Sequence, residues 1–390
     1  MRRSYLVGPF ICCLAIWTVG NGTLPLLPLY AMELGASRET SGFFLSFAFL
    51  CLALGNGAPA ILPKNFRKQR ILVLAAALPI AVSAWLAGRV TSVLELAVVI
   101  GASWFCAGVI FSQTATMVGF VAAEKDRGTA FGILGVTNGL GGLLGGLSMG
   151  YIADHLGFVW VFNILAGFSL LILVGGLLSP DSPSVVEPQE GTSARVGGAV
   201  GLSLGLVFLF VAMLLTSFAN ATGNLGRSFL MAEERFSKSA IMLTAAVQGL
   251  AGIVLPFLMG RLADRIGRRR AMIASVAITA ASLVLLGLSY QEWQFFLFAA
   301  LFGFLAVATA MAPAYVVDVA PRNVGRNVSL VQSAFWVGSI VGMAATGVLA
   351  TGLGTSKTIL LSCAFPAAAA FLIRFGHVKR IRKEPGGSTE

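Results

Sequence analysis

Gly260-Arg261-Leu262-Ala263-Asp264-Arg265-Ile266-Gly267-Arg268-Arg269-Arg270 is the most charged stretch of a very apolar chain, and it stands between two long hydrophobic runs. Five arginines surround one acid, so part of the positive charge can be balanced locally and the rest is left over. Surplus basic residues in a short connection hold it on the cytoplasmic side of a bilayer. The two glycines would let the backbone turn tightly or come close to another helix.

Composition supports a membrane reading. Of 390 residues, 57% are hydrophobic and only 11% charged, with a mean hydropathy of +0.87; soluble domains carry about 25% charged residues. A spanning helix takes about 20 apolar residues. Hydrophobic runs near 6–30, 40–62, 71–88, 93–120, 129–152 and 158–178 predict six such helices. Runs near 201–230, 240–260, 271–289, 293–317, 327–351 and 358–376 predict six more. Between the sets, 179–198 holds Pro180, Pro183, Pro188, Asp181, Glu187 and Glu190, a polar linker rather than a helix. The expected organisation is an N-terminal six-helix bundle (1–178), a cytoplasmic linker (179–198), a C-terminal six-helix bundle (199–378) and a cytoplasmic tail (379–390). Met1-Arg2-Arg3 before the first run reads as a positive anchor, since no small-residue cleavage site follows.

The net charge of +11 is spread over short connections, which argues for orientation in a membrane rather than for a nucleic-acid partner. With the N-terminus inside, the inner segments hold Arg2, Arg3, Lys64, Arg67, Lys68, Arg70, Lys125, Arg127, Arg195, the 261–270 cluster, Arg322, Arg326, Lys379, Arg380, Arg382 and Lys383. The outer side keeps only Arg38, Arg89, Arg227, Arg235, Lys238 and Lys357, as the positive-inside rule requires. Both termini are expected in the cytoplasm, with the chain a multi-pass protein of the plasma (inner) membrane. Cys12, Cys13, Cys51, Cys106 and Cys363 all lie in hydrophobic runs without a CxxC pair, and read as small apolar fillers. His155 and His377 are isolated, so neither metal nor cofactor is expected. No P-loop and no nucleophilic constellation is found, so the chain is read as something other than an enzyme and ATP as not its direct energy source.

The two sets repeat. Ser37-Arg38 matches Ser237-Lys238, Leu62 matches Leu262 and Arg70 matches Arg270, all 200 apart; Gly142 and Gly146 match Gly338 and Gly342 at an offset of 196. The charged stretch resembles the signature loop of the major facilitator superfamily, G-x-L-A-D-R-x-G-R-R, in the copy joining helices 8 and 9. The resemblance extends over nearly the whole chain and implies a twelve-helix, all-α membrane fold with a solute site near midplane between two halves. It also implies a permease for a small organic solute, with a proton or another coupling ion as possible partner, acting as a monomer.

In the first half the signature has become Ala60-Ile-Leu-Pro63-Lys64-Asn65-Phe66-Arg67-Lys68-Gln69-Arg70, with Lys64 where the second half has Asp264. The family's first-half acid steadies the outward-open state, so gating is expected to rest on the second copy: Gly260, Asp264, Arg265, Gly267 and Arg268. Asp264 is expected to face Arg127, Gly128 and Thr129 at the inner end of helix 5, where a helix N-terminus favours a carboxylate. Helix 1 ends in Pro25-Leu-Leu-Pro28, which resembles the P-x-x-P element of twelve-helix drug antiporters. Gly142, Gly146 and Gly150 line one face of helix 5, and Gly338 and Gly342 one face of helix 11, for close packing. The family's antiporters carry a proline where Gly146 stands, and an arginine where Trp104 precedes Gly108, so two antiporter elements are missing.

Helix 7 ends in Asn220-Ala-Thr-Gly-Asn224-Leu-Gly226-Arg227, which reads as glycine-broken. Two interrupted helices at corresponding places point to a translocation site. Asn21, Thr23, Asn220 and Asn224 are therefore placed on the cavity wall, although side chains that merely join helices by hydrogen bonds fit equally well. Gln113, Asn138, Gln248 and Gln332 would complete a neutral lining, with Trp104 and Trp336 as stacking surface. Arg227 either faces the cavity and attracts an anionic solute or snorkels to the outer interface. Efflux is the first expectation; an uptake or uniport permease for an organic anion, a lipid flippase and a membrane sensor are the alternatives.

Overall fold

The computed structural model describes residues 6–62, 68–121, 127–179, 203–320 and 323–376, the side chains at 120–121, 127–128, 264 and 325 excepted. The 179–198 linker and the 379–390 tail therefore lie almost wholly outside the described residues. Among the described residues, sixteen helical segments occur in order: α1 Val7–Thr23, α2 Leu27–Glu33, α3 Arg38–Ile61, α4 Gln69–Ala87, α5 Val93–Val121, α6 Arg127–His155, α7 Phe158–Ser169, α8 Leu171–Leu178, α9 Leu204–Glu233, α10 Lys238–Ile266, α11 Arg268–Gly287, α12 Glu292–Phe302, α13 Phe304–Val319, α14 Val324–Leu353, α15 Thr355–Ser362 and α16 Ala364–Phe375. Eleven spans are long and apolar enough to cross a membrane, and α1 with α2, bent by 45°, makes a twelfth.

Local chemistry sets most boundaries. Ser37 and Ser237, at repeat-related positions, cap α3 and α10 by accepting from the amides of Thr40 and Ala240. The bend between α1 and α2 falls at the Pro25 step, and Pro28 sits in the first turn of α2, where a missing N–H is harmless. Two expectations are corrected. The arginine-rich stretch is no loop: α10 continues through Gly260 to Ile266, breaks only at Gly267 (φ 91°), and α11 begins at Arg268. Leu, Ala and Arg favour helix, and a single glycine in the left-handed region is enough to turn the chain. The glycines near Arg227 do not break α9 either; Gly223 lies against Phe302 and Gly226 against Ile359, close packing in a continuous helix.

The repeat is visible in the backbone. Positive φ recurs at Gly35 and Arg235, 200 apart, and at Gly157 and Gly354, 197 apart. Packing agrees with the second offset. Gly141 and Gly145 meet Trp17, Thr18 and Gly22 of α1, while Gly338 and Gly342 meet Leu214, Ser217, Phe218 and Ala221 of α9. The true counterparts of Gly338 and Gly342 are thus Gly141 and Gly145, one residue away from the register that matching glycines suggested.

Two seams join the first-half helices to the second: α6 along α10, and α3 along α14. The hydrophobic core follows the same logic. Its largest cluster draws on both halves, from Leu26, Tyr30, Phe44 and Phe158 to Phe229, Met242, Phe298 and Met343. The others stay within one half: Leu206, Met272, Tyr315 and Ile373 in one, Cys12, Ile80 and Ile110 in the next, Leu6, Val118 and Ala130 in the last. The shared cluster lies toward the end that carries the Ser37 and Ser237 caps, called the cap end below. The separate ones lie toward the end that carries Arg261–Arg270, the arginine end.

Candidate functional site

Along the face of α6 that meets α10, Gly150, Gly146, Gly142 and Gly139 are buried. A methyl group added at Gly146 would stand 2.5 Å from the Ala246 nitrogen, and one at Gly150 would stand 2.6 Å from Ser239 Cα. At Gly139 it would meet the Gly249 carbonyl at 2.7 Å and Ile253 closer still. Such contact of backbones needs residues without side chains. One turn further toward the arginine end the same face opens. Gly135, Gly132 and Phe131 are exposed, and an added methyl at Gly135 or Gly132 meets nothing within 4 Å. On α10 the matching positions Phe257 and Gly260 are likewise uncovered, Phe257 with an exposure of 61%. The helices cross at Gly139 and Gly249, near the middle of both, and diverge beyond.

At the cap end, charges bind the halves together. The Asp154 carboxylate at the end of α6 accepts from the Lys238 amide at 3.0 Å, the Ser239 amide at 2.8 Å and the Ser239 hydroxyl at 2.5 Å. A carboxylate at a helix N-terminus satisfies orphan donors and complements the dipole. Lys238 Nζ pairs with Glu33 at 2.7 Å and lies over the Phe158 ring. On the α3/α14 side, Arg38 pairs with Glu233 at 2.9 Å, and Thr355 also donates to Glu233. Gly42 lies against Gly347, and the Ser46 hydroxyl donates to the Ile340 carbonyl at 2.8 Å. An apolar groove of roughly 500 Å³ runs along this seam beside Phe43, Val341, Ala344 and Val348.

Two polar clusters flank the crossing. In the first half, Asn21 Nδ2 donates to the Asn138 carbonyl and Oδ1 at 3.0 and 2.9 Å, and Asn138, the chain neighbour of Gly139, is exposed. In the second half, Arg227 donates to Gln248 Oε1 at 2.8 Å and to Asn224 Oδ1 at 3.3 Å. Asn224 Nδ2 donates in turn to the Asn220 carbonyl and Oδ1 at 3.0 and 2.9 Å. Gln248 is the chain neighbour of Gly249. Arg227 is only 1% exposed and turned toward α10, so it does not snorkel to an interface. Asn21 and Asn138, and Asn220, Asn224, Arg227 and Gln248, are thereby brought together in two groups.

The remaining expected lining residues stand apart. Thr23 bonds back to the Val19 and Gly20 carbonyls of its own helix. Trp104 is buried edge-on against Phe49, and Gln113 is buried as well. Gln332 is exposed on α14, with Trp336 half-buried one turn on. Pro25 and Pro28 are buried at the α1/α2 bend. In the signature stretch, Arg265 is exposed, Arg268 pairs loosely with Asp318 at 3.6 Å, and Arg269 donates to the Ile373 carbonyl, all within the second half. The expected meeting of Asp264 with Arg127 and Gly128 falls on side chains outside the described ones. Asp154, Glu33 and Glu233 are not singled out by the sequence reading; the signal that could have found Asp154 is its place four residues after Gly150, on the continuation of the glycine face.

A family model described as Major Facilitator Superfamily matches residues 9–223 and again 200–390. The multidrug resistance protein MdtG of Escherichia fergusonii is 24% identical over 385 residues, 93% of this chain and 91% of that protein. The protein of the same name from Salmonella choleraesuis is 25% identical over 335 residues, 82% of each. Among solved structures, a bacterial homologue of the human lysosomal transporter Spinster, inward-facing and unoccupied, superposes with a TM-score of 0.74 at 14% identity, covering 96% of this chain and 97% of that one. The nucleoside transporter NupG gives 0.75 at 14% identity, covering 96% and 98%. At such identity these two establish the fold alone.

Proposed function

The chain belongs to the major facilitator superfamily, and on that premise we propose that it exports a small organic solute across the plasma (inner) membrane by alternating access. Two six-helix halves rock about the α6/α10 and α3/α14 seams, with both termini on the cytoplasmic side. The observation that carries the reading is the crossing at Gly139 and Gly249. Polar clusters from both halves stand at the point where packed seam gives way to open faces. With the arginine end inside, the structure is then an inward-open state, sealed outside by Asp154, Glu33 and Glu233. Efflux takes its support from the relatives named for multidrug resistance, and the P-x-x-P bend is compatible with it. The neutral amides near the crossing suit a solute held by hydrogen bonds and apolar contact.

A lipid-handling reading has the groove beside Phe43 and Val341 in its favour. Against it, the halves touch along that groove through Gly42, Gly347 and Ser46, so it does not open onto the amide clusters.

A reversible lock tests the mechanism. Asp154→Cys with Ser239→Cys puts two thiols where a carboxylate and a hydroxyl now meet across the seam. Oxidation should abolish export of a lipophilic dye from cells carrying the double variant, and reduction should restore it. Undiminished export by the oxidised, cross-linked protein would show that this seam need not open, and alternating access about it would be wrong. Equal dye accumulation with and without the inserted wild-type protein would overturn efflux.

A further inference from the structure

We infer that the Arg227 cluster is a recognition point for an anionic oxygen group, a carboxylate or comparable oxyanion, carried by the transported solute or bound beside it. The inference rests on the transport reading above and adds the polarity of the site.

The argument is one of donors and acceptors. A guanidinium can only donate, so Asn224 must offer Oδ1 to it and Gln248 must offer Oε1. With its oxygen used, Asn224 can only donate through Nδ2, and it does so to Asn220. Asn220 in turn has given its Oδ1, and Gln248 its Oε1, so each retains an NH2 group that makes no bond among the described residues. Arg227 Nε is buried without a partner as well. The arginine therefore fixes the sense of three amides, and the chain of bonds ends in donors on both sides. Asn220 and Gln248 are half-buried while Arg227 lies behind them, so a ligand meets polarised amide hydrogens backed by a full positive charge.

Nothing described balances that charge. The ion pairs among the described residues are Arg38–Glu233, Lys238–Glu33 and Arg268–Asp318, none involving Arg227. A buried charge is retained at low cost only with a counter-charge, and inside a membrane such groups mark solute and ion pathways. A cation would be repelled by the Arg227 charge, whereas a carboxylate would bring acceptor oxygens to the amide donors of Asn220 and Gln248. Among the described residues no charged group bonds to the Asn21–Asn138 pair, so nothing described fixes the sense of its amides.

The discriminating variant is Gln248→Glu, which gives Arg227 a permanent carboxylate and keeps it paired. Thermal unfolding of the full chain in detergent is followed with benzoate, neutral benzamide and chloride at equal ionic strength. Benzoate should raise the wild-type melting temperature and benzamide should not. In Gln248→Glu and in Asn220→Asp the apparent benzoate affinity should fall about tenfold or more, the usual effect of losing charge-assisted hydrogen bonds. Protection by chloride alone would overturn the assignment to an oxygen-bearing anion. Equal protection of wild type and Gln248→Glu, equal protection by benzamide, or protection by no anion would overturn the inference. Solute flux into proteoliposomes is measured in parallel. Absence of any protein-dependent flux would sink the transport reading, whatever the melting curves show about the anion.

Discussion

The α6/α10 seam is two surfaces in one. Toward the cap end, glycines let the backbones touch, a shared hydrophobic cluster spans both halves, and Asp154 caps the partner helix. Toward the arginine end, the same helical face carries Gly135, Gly132 and Phe131 in the open, and the apolar clusters keep to their own halves. Glycines recur along the whole α6 face, with Phe131 and, on α10, Phe257 added at the open end, and burial falls along its length. In the proposed alternation, the glycines on either side of Gly139 would let α6 and α10 pack at one end and then the other. Without a hydrophobic drive between helices in lipid, such packing is held by dispersion contacts and a few polar bonds, so modest changes can move the balance.

The comparison breaks most severely at Gly146. Gly146→Leu forces a branched side chain into the Ala246 backbone, and overpacking of this kind costs about 1–3 kcal/mol. It should lower the melting temperature and cut solute flux by more than about tenfold, because the cap end no longer closes. Gly135→Leu is the matched change on the open side. Its melting temperature should equal that of the wild type, because an added methyl there meets nothing. Flux should still fall if the arginine end closes during turnover; unchanged flux would mean that Gly135 never becomes part of a packed seam.

Asp154→Asn keeps hydrogen-bonding capacity and removes the charge at the start of α10. The loss of a charged cap is about 1 kcal/mol, which would favour opening of the cap end roughly fivefold. Labelling of a cysteine introduced at Met242, buried in the seam against Gly150, measures the shift; an unchanged labelling rate would deny Asp154 a role in the seal. The smallest effect belongs to Arg38→Gln. Its partner Glu233 is about one-third exposed, and exposed pairs contribute only about 0.2–1 kcal/mol. A slight, salt-dependent rise in labelling is expected, absent at high ionic strength.

Several features were legible because they depend on local chemistry. The hydrophobic runs are long, so their number survived, and the Pro25 bend follows from a residue acting on its own backbone. Where glycine was read as a breaker, the reading held at Gly267 and failed elsewhere. Gly223 and Gly226 sit inside a continuous helix because a glycine is equally the residue that admits a neighbour, and Gly260 is carried within α10 with nothing against it. The 196 offset failed for the same reason: adjacent glycines such as Gly141 and Gly142 face different partners, and only packing tells them apart. The membership of the polar clusters was half legible. Asn220, Asn224, Arg227 and Gln248 were each picked out as lining, but nothing in the spacing from 227 to 248 says that the two helices bring those side chains within hydrogen-bond reach.

The sequence by itself determined the spans, the Pro25 bend and the repeat, since hydropathy and proline act over a few residues. Only the tertiary structure decided which end of the seam is closed, that Arg227 is buried against amide oxygens with no described carboxylate as partner, and that Asp154 seals a helix 84 residues away from its own position. Those facts depend on how far apart two helices lie and which way each face turns, and a difference of a few ångströms between backbones leaves no mark on the order of residues.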